Sequence, residues 1–163
     1  MKAAVVMGSV SDLPVLEPAI KRLKGFGVDV EARVISAHRT PDIAHDFATS
    51  AEDNGIDVII AAAGKAAHLA GVLAAYTTLP VIGIPVKSSS LEGLDSLLSM
   101  VQMPPGIPVA TVAIDGAENA AILAVQILSF KYPELKHKLK EHKTTMAQKV
   151  AQADKNLQKE INI

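Results

Sequence analysis

The chain has 163 residues, of which 49% are hydrophobic and 20% charged, with a net charge of −1 and no cysteine. That length points to one domain able to bury roughly two-thirds of its surface. The balance excludes a disordered chain, and the lack of cysteine excludes disulfides, thiolate catalysis and thiolate-held metal.

The apolar residues are mainly Ala, Val, Ile and Leu, with aromatics at 3%, the palette of parallel strands covered by helices. Charge is unevenly spread: from Lys131 onward eight Lys face four acidic residues, giving +4, while the remainder nets −5. Without interleaved aromatics this basic segment reads as a solvated helix face, and no nucleic-acid partner is expected. The chain enters an apolar strand at once, with no signal segment. Its longest apolar stretch, Val58 to Ala75, is broken by Gly64, Lys65, His68 and Gly71, so it is strand, loop and helix rather than a membrane span. A soluble cytoplasmic protein without a membrane partner is expected.

Strands and helices alternate almost without gaps. Ala3 to Met7 is a short strand, Gly8-Ser9-Val10-Ser11-Asp12 a turn, and Leu13 to Phe26 a helix with Leu16, Ala19, Ile20 and Leu23 on one face. Val28 to Ile35 is the second strand. Pro41 to Asn54 is the second helix, with Pro41 in its first turn and Thr40 as N-cap. Val58 to Ala62 reads as a strand covered on both faces, and Leu69 to Ala75 as a helix. Val81 to Pro85, Leu91 to Met100, Pro108 to Ile114 and Ala117 to Phe130 continue the alternation. This (βα)₅ pattern predicts an α/β fold: a three-layer α-β-α domain over 1–132, with a five-stranded parallel, flavodoxin-like sheet.

After Tyr132-Pro133 a helical segment carries Leu135, Leu139, Met146, Val150, Ala153, Leu157 and Ile161 in steps of about three and four. The preceding helices already cover the sheet, so this extra C-terminal helix, 133–163, is expected to pack on a neighbouring subunit.

Four strand-to-helix loops carry unusual residues, at the sheet end where open α/β folds bind ligands. The first offers Gly8, two hydroxyls (Ser9 and Ser11) and a helix N-terminus, suited to an anion. Asp12 beside them either accepts hydrogen bonds from ribose hydroxyls or caps the helix. The second, Ser36-Ala37-His38-Arg39-Thr40-Pro41, sets an imidazole, a residue type that exchanges protons near neutral pH, beside a fork-shaped permanent cation suited to phosphate. The third, Ala63 to Gly71, is built of small residues that let backbone approach a flat ligand, with His68 either facing the ligand or satisfied behind it. The fourth, Lys87 to Ser90, is hydroxyl-rich and also reads as simple helix capping.

Two isolated histidines without carboxylates at ligand spacing make no metal site. No GxGxxG, Walker A or GxSxG pattern occurs. Strand three ends in Ala62-Ala63 rather than Asp, which argues against a phospho-acceptor domain, and the loops lack the aromatics that would stack on a flavin.

Taken in order, Gly8-Ser9-x-Ser11-Asp12, Ser36 to Pro41, Gly64-x-Ala66-Ala67-His68-Leu69-x-Gly71 and Asp95 to Pro104 resemble the class I N5-carboxyaminoimidazole ribonucleotide mutase family, over about residues 3 to 130. Arg39 after the histidine resembles class I; class II enzymes, which carboxylate aminoimidazole ribonucleotide directly with CO2, typically have Lys there. Lys65 stands where the family usually has Gly, Ala70 where it has Pro, and 114–119 is shorter than the glycine-rich version of many members.

The resemblance implies an isomerisation in purine biosynthesis that needs no metal or organic cofactor. The carbamate leaves the substrate's exocyclic nitrogen, is held as CO2 and is added at ring carbon C4. The resemblance makes His38 the proton shuttle, with His68 assisting. Arg39, Ser9 and Ser11 would hold the phosphate and Asp12 the ribose. Ser36 with Ala63, Gly64, Lys65 and Leu69 would complete the substrate pocket and exclude water. It further implies a homo-octamer with sites at subunit junctions.

Overall fold

Parallel strands need helical crossovers to return the chain to the same edge, and the sequence supplies one after every strand. The computed structural model describes residues 1–161. Its strands are β1 (Lys2–Met7), β2 (Asp29–Val34), β3 (Val58–Gly64), β4 (Val81–Val86) and β5 (Ala110–Thr111). The helices are α1 (Leu13–Gly25), α2 (Pro41–Ser50), α3 (Leu69–Tyr76), α4 (Leu94–Val101), α5 (Ala117–Leu128) and α6 (Glu134–Ile161). All strand pairs are parallel, in the order β2-β1-β3-β4-β5. The expected flavodoxin-like α/β architecture is the observed one.

The inner strands β1, β3 and β4 are buried almost throughout. Alternate side chains enter two separate cores. Ala3, Val5, Met7, Val58, Ile60, Ile82 and Ile84 face α1 and α5, whereas Ala4, Val6, Ile59, Ala61 and Val81 face α2 and α3. Each buried Ile or Val contributes about 1.5–3 kcal/mol relative to an exposed one. Close approach is enforced at Gly83 on β4, where an added Cβ would lie 2.4 Å from the Met100 sulfur of α4.

Several boundaries differ from expectation. Helix α4 begins at Leu94 rather than Leu91, because Glu92 and Gly93 take left-handed φ angles of 53° and 93° that no helix continues. Strand β5 pairs over two residues instead of Pro108 to Ile114. It is an edge strand whose chain peels away after Val112, holding only the Val112 and Asp115 amides on Gly83 and Pro85 carbonyls. Helix α2 stops at Ser50 rather than Asn54, where 51–55 form turns ending at Gly55, φ 74°. Helix α5 stops at Leu128 rather than Phe130, in a closing turn at Ser129 to Lys131.

Helix α6 divides in two. Leu135 is fully buried and Leu139 packs on the α1/α5 core, so the first turns fold back on their own domain, contrary to a stripe serving only a neighbour. Met146, Val150, Ala153, Leu157 and Ile161 are exposed in the single chain, Val150 by 70%.

The corner before α6 is fixed by one carboxylate. Asp57, just before β3, accepts from the Lys2 backbone N–H at 2.9 Å, Lys131 Nζ at 2.8 Å and Tyr132 Oη at 3.1 Å. Burial would raise its carboxyl, but these donors outweigh it and hold the group below the ordinary aspartate value. A depressed folded-state value means stability present above the unfolded value and lost as pH falls through the folded one. Asp57→Ala is therefore expected to lower unfolding free energy by about 2 kcal/mol, since three donors lose their partner. The deficit should shrink as pH drops below the aspartate range. Urea melts at neutral and acid pH check both statements.

Candidate active site

The connections step to opposite sides of β1: β2 lies on one side, and β3, β4 and β5 on the other. Such a reversal opens a crevice at the carboxyl ends of the strands. Here the crevice is a cleft of about 500 Å³. Its lining includes Gly8, Ser9, Ser11 and Asp12 after β1; Ser36, Ala37, His38 and Arg39 after β2; Ala63, Gly64, Lys65, Ala67, His68 and Leu69 at and after the end of β3; and Val86, Lys87, Ser88 and Ser89 at and after the end of β4. Every residue expected from sequence to form the site is therefore brought to one cleft. A hollow of about 630 Å³ between α1 and α6, and one of about 850 Å³ at the opposite end of the sheet, lie away from these loops.

Each loop is held by its own polar side chains. Ser9 caps the short 3₁₀ turn Val10–Asp12, its Oγ accepting from the Ser11 N–H at 3.3 Å and from the Ser11 hydroxyl at 2.8 Å. Asp12 stands at the N-cap position of α1 but makes no capping bond, so the capping role is not the one it fills. Burial in the cleft raises its carboxyl above the ordinary value, against opposing hydrogen bonds from the Ser9 backbone and the Ser11 hydroxyl. A partly desolvated carboxylate with unused acceptor capacity suits a ligand hydroxyl.

In the second loop Pro41 opens α2 as expected, whereas the Thr40 side chain does not cap it. Thr40 Oγ1 instead accepts from the Ser36 N–H and donates to the Ser36 carbonyl, both at 3.0 Å, closing the loop into a ring. Ser36 Oγ receives the Arg39 backbone N–H at 3.2 Å and its Nε at 3.3 Å, while Arg39 Nη2 donates to the Gly8 carbonyl at 3.0 Å. The guanidinium thus ties the second loop to the first, with donors to spare for an anion.

His38 Nε2 and His68 Nδ1 lie 2.7 Å apart, with rings at 82°. Their loops follow β2 and β3, which flank β1, so the two rings meet across the end of β1. One nitrogen must donate and the other accept, a geometry through which one proton can pass. Both rings are exposed in the single chain, so the expected exclusion of water is not met by this chain alone.

Lys65 adopts φ 56°, the left-handed region, which explains why glycine suits that position and marks the lysine as strained by about 1–2 kcal/mol. Ala70 is buried in the first turn of α3, a location that also accepts proline. The fourth candidate loop, for which simple helix capping was the alternative, lines the cleft with Lys87, Ser88 and Ser89. The lining holds three permanent cations (Arg39, Lys65, Lys87) against one carboxylate, Asp12, a bias toward an anionic ligand.

An open α/β sheet with a cationic, imidazole-bearing cleft at its switch point is the architecture of a ligand-binding or catalytic α/β domain. Comparison with known proteins makes it specific. Residues 2–149 match the family described as AIR carboxylase, and the chain belongs to that family. It is 65% identical to the N5-carboxyaminoimidazole ribonucleotide mutase of Pyrococcus abyssi, over 89% of this chain and 83% of that one. It is 55% identical to the mutase of the same name from Thermotoga maritima, over 96% and 92%. The crystal structure of Treponema denticola PurE superposes with a TM-score of 0.85 at 31% identity, covering 96% of this chain and 98% of that one.

Arg39→Ala removes both the loop tie and the free guanidinium donors. The expected loss is about 2–4 kcal/mol in affinity for a phosphorylated ligand, the scale of a charge-assisted bidentate contact. Titration calorimetry with the ribotide, alongside circular dichroism to confirm the fold, measures it.

Proposed function

We propose that this chain is an enzyme of purine biosynthesis that converts N5-carboxyaminoimidazole ribonucleotide to 4-carboxy-5-aminoimidazole ribonucleotide. The observation that carries the reading is the His38–His68 contact, set in a cleft biased toward anions. The names of the relatives agree with it.

The carbamate N–C bond breaks, releasing CO2 into the cleft, and the exocyclic nitrogen takes up a proton. The ring's C4 then attacks CO2, a C–C bond forms, and the C4 proton must leave to restore aromaticity. One proton is given and one is taken, so a single shuttle balances the reaction. His38 supplies the proton to the nitrogen and removes the one from C4. His68, bonded to it, holds that imidazole in register and can share the proton.

Arg39, Ser9 and Ser11 take the phosphate, Asp12 the ribose hydroxyls, and Ser36 with the loop containing Ala63, Gly64, Lys65 and Leu69 frames the carboxylated ring. No residue of the chain requires a cofactor for these steps. The reaction belongs in the cytoplasm, and no helix among the described residues is long and apolar enough to cross a membrane.

The working form is a homo-octamer. Exposed apolar side chains support assembly: Leu94, Leu98 and Val101 on α4, and Met146, Val150, Leu157 and Ile161 along the outer part of α6. The exposed outer part of α6, from Met146 to Ile161, acts as the arm that reaches the neighbour, whose surface would cover the open histidines and retain CO2.

A plant relative named phosphoribosylaminoimidazole carboxylase is 48% identical over 94% of this chain and 28% of that protein. Direct carboxylation is therefore the second reading, and Arg39 favours the first. Purified protein given the carbamate substrate, or aminoimidazole ribonucleotide with CO2, separates them: turnover of the first alone is expected. His38→Asn is expected to lower kcat by about 10²–10⁴-fold with little change in ribotide affinity. Truncation after His142 keeps Leu135 and Leu139 in the core while removing the exposed arm. It is expected to shift the protein to smaller species in sedimentation and to cut activity.

A further inference from the structure

The wall of the cleft after β4 has no part in the chemistry described above, although its backbone is fixed from two sides. The Lys87 N–H donates to Asp115 Oδ1 at 2.9 Å, and Asp115 is itself held at φ 55° with its N–H on the Pro85 carbonyl. The Ser88 hydroxyl is anchored on the Asp95 carboxylate at 3.1 Å. Gly93, at φ 93°, passes so close that an added Cβ would lie 3.2 Å from Lys87 Cα. The backbone of Lys87 is thus fixed, while its side chain is exposed.

That ammonium pairs with Glu92, but both side chains are well exposed, 57% and 72%. An ion pair between exposed groups is screened by solvent and contributes little, so Glu92 parks the ammonium without locking it. A carboxylate or phosphate brought into the cleft sheds water and competes well for the same cation.

Topology selects which anion. β4 adjoins β3 and is separated by two strands from β2, whose following loop carries Arg39. Gly64 on the β3 loop abuts Val86, with an added Cβ 3.4 Å from the Val86 carbonyl, so Lys87 flanks the loop assigned above to the carboxylated ring. We propose that Lys87 is a binding residue for the substrate's carboxylate, handed over from Glu92 when the ribotide enters. This rests on the proposed mutase reading and extends it to the β4 wall.

The test is calorimetric affinity for 4-carboxy-5-aminoimidazole ribonucleotide and for 5-aminoimidazole ribonucleotide, which lacks the carboxylate, with turnover of the carbamate substrate measured alongside. Lys87→Gln is expected to weaken the carboxylated ribotide about tenfold, the scale of a hydrogen bond to a charged group, and to leave the decarboxylated one within about twofold. Lys87→Arg, which keeps the charge, restores most of the loss. Glu92→Gln tightens binding of the carboxylated ribotide. Unchanged affinity in Lys87→Gln, equal weakening of both ribotides, or a Glu92→Gln affinity at or below that of the parent overturns the assignment. If the parent protein turns over the carbamate substrate, such a result removes only Lys87. If the parent neither turns it over nor binds either ribotide, the mutase reading falls and takes this assignment with it.

Discussion

The reversal of strand order at β1 is the constraint on which the site depends. Because β2 lies on one side of β1 and β3 on the other, the loops after these strands meet over the carboxyl end of β1. His38 and His68 are thirty residues apart in sequence yet in contact. Arg39, reaching back to the Gly8 carbonyl, keeps the second loop from swinging away from the first. Two buried cores, one per face, make the sheet a rigid platform for loops that are themselves tied by short polar bonds.

Electrostatics and conformation work together around that platform. Arg39, Lys65 and Lys87 outnumber Asp12, so the cleft is cationic and biased toward an anionic ligand. Lys65 occupies a backbone region that ordinarily suits glycine. The strain is small beside the burial that the domain gains elsewhere, which is how a functional loop tolerates it.

Much of this was legible in the residues, and the failures have physical causes. Alternating apolar runs and glycine stops located the strands and helices because those patterns follow from burial alone. The loop motifs identified the cleft because parallel topology collects carboxyl ends. Strand β5 was overestimated since an edge strand keeps its apolar pattern after its hydrogen bonds have ended. Helix α4 was started early since nothing in Leu91-Glu92 announces a left-handed turn. The wall carrying Lys87, Ser88 and Ser89 was underweighted because hydroxyls before a helix serve capping and ligand binding alike. The His38–His68 contact depends on strand order, which no local pattern encodes. The outward stripe of α6 was visible, but its inner end had to be seen packed to learn that the helix serves its own core first.

Asp57 joins the amide of Lys2 near the chain's start to Lys131 and Tyr132 just before its last helix. Opening either the first strand or the root of α6 strips donors from the same carboxylate, so the two are coupled in local unfolding. Fraying from either end is suppressed by the other. Movement of the exposed outer part of α6 thus transmits little slack back to the sheet beneath it.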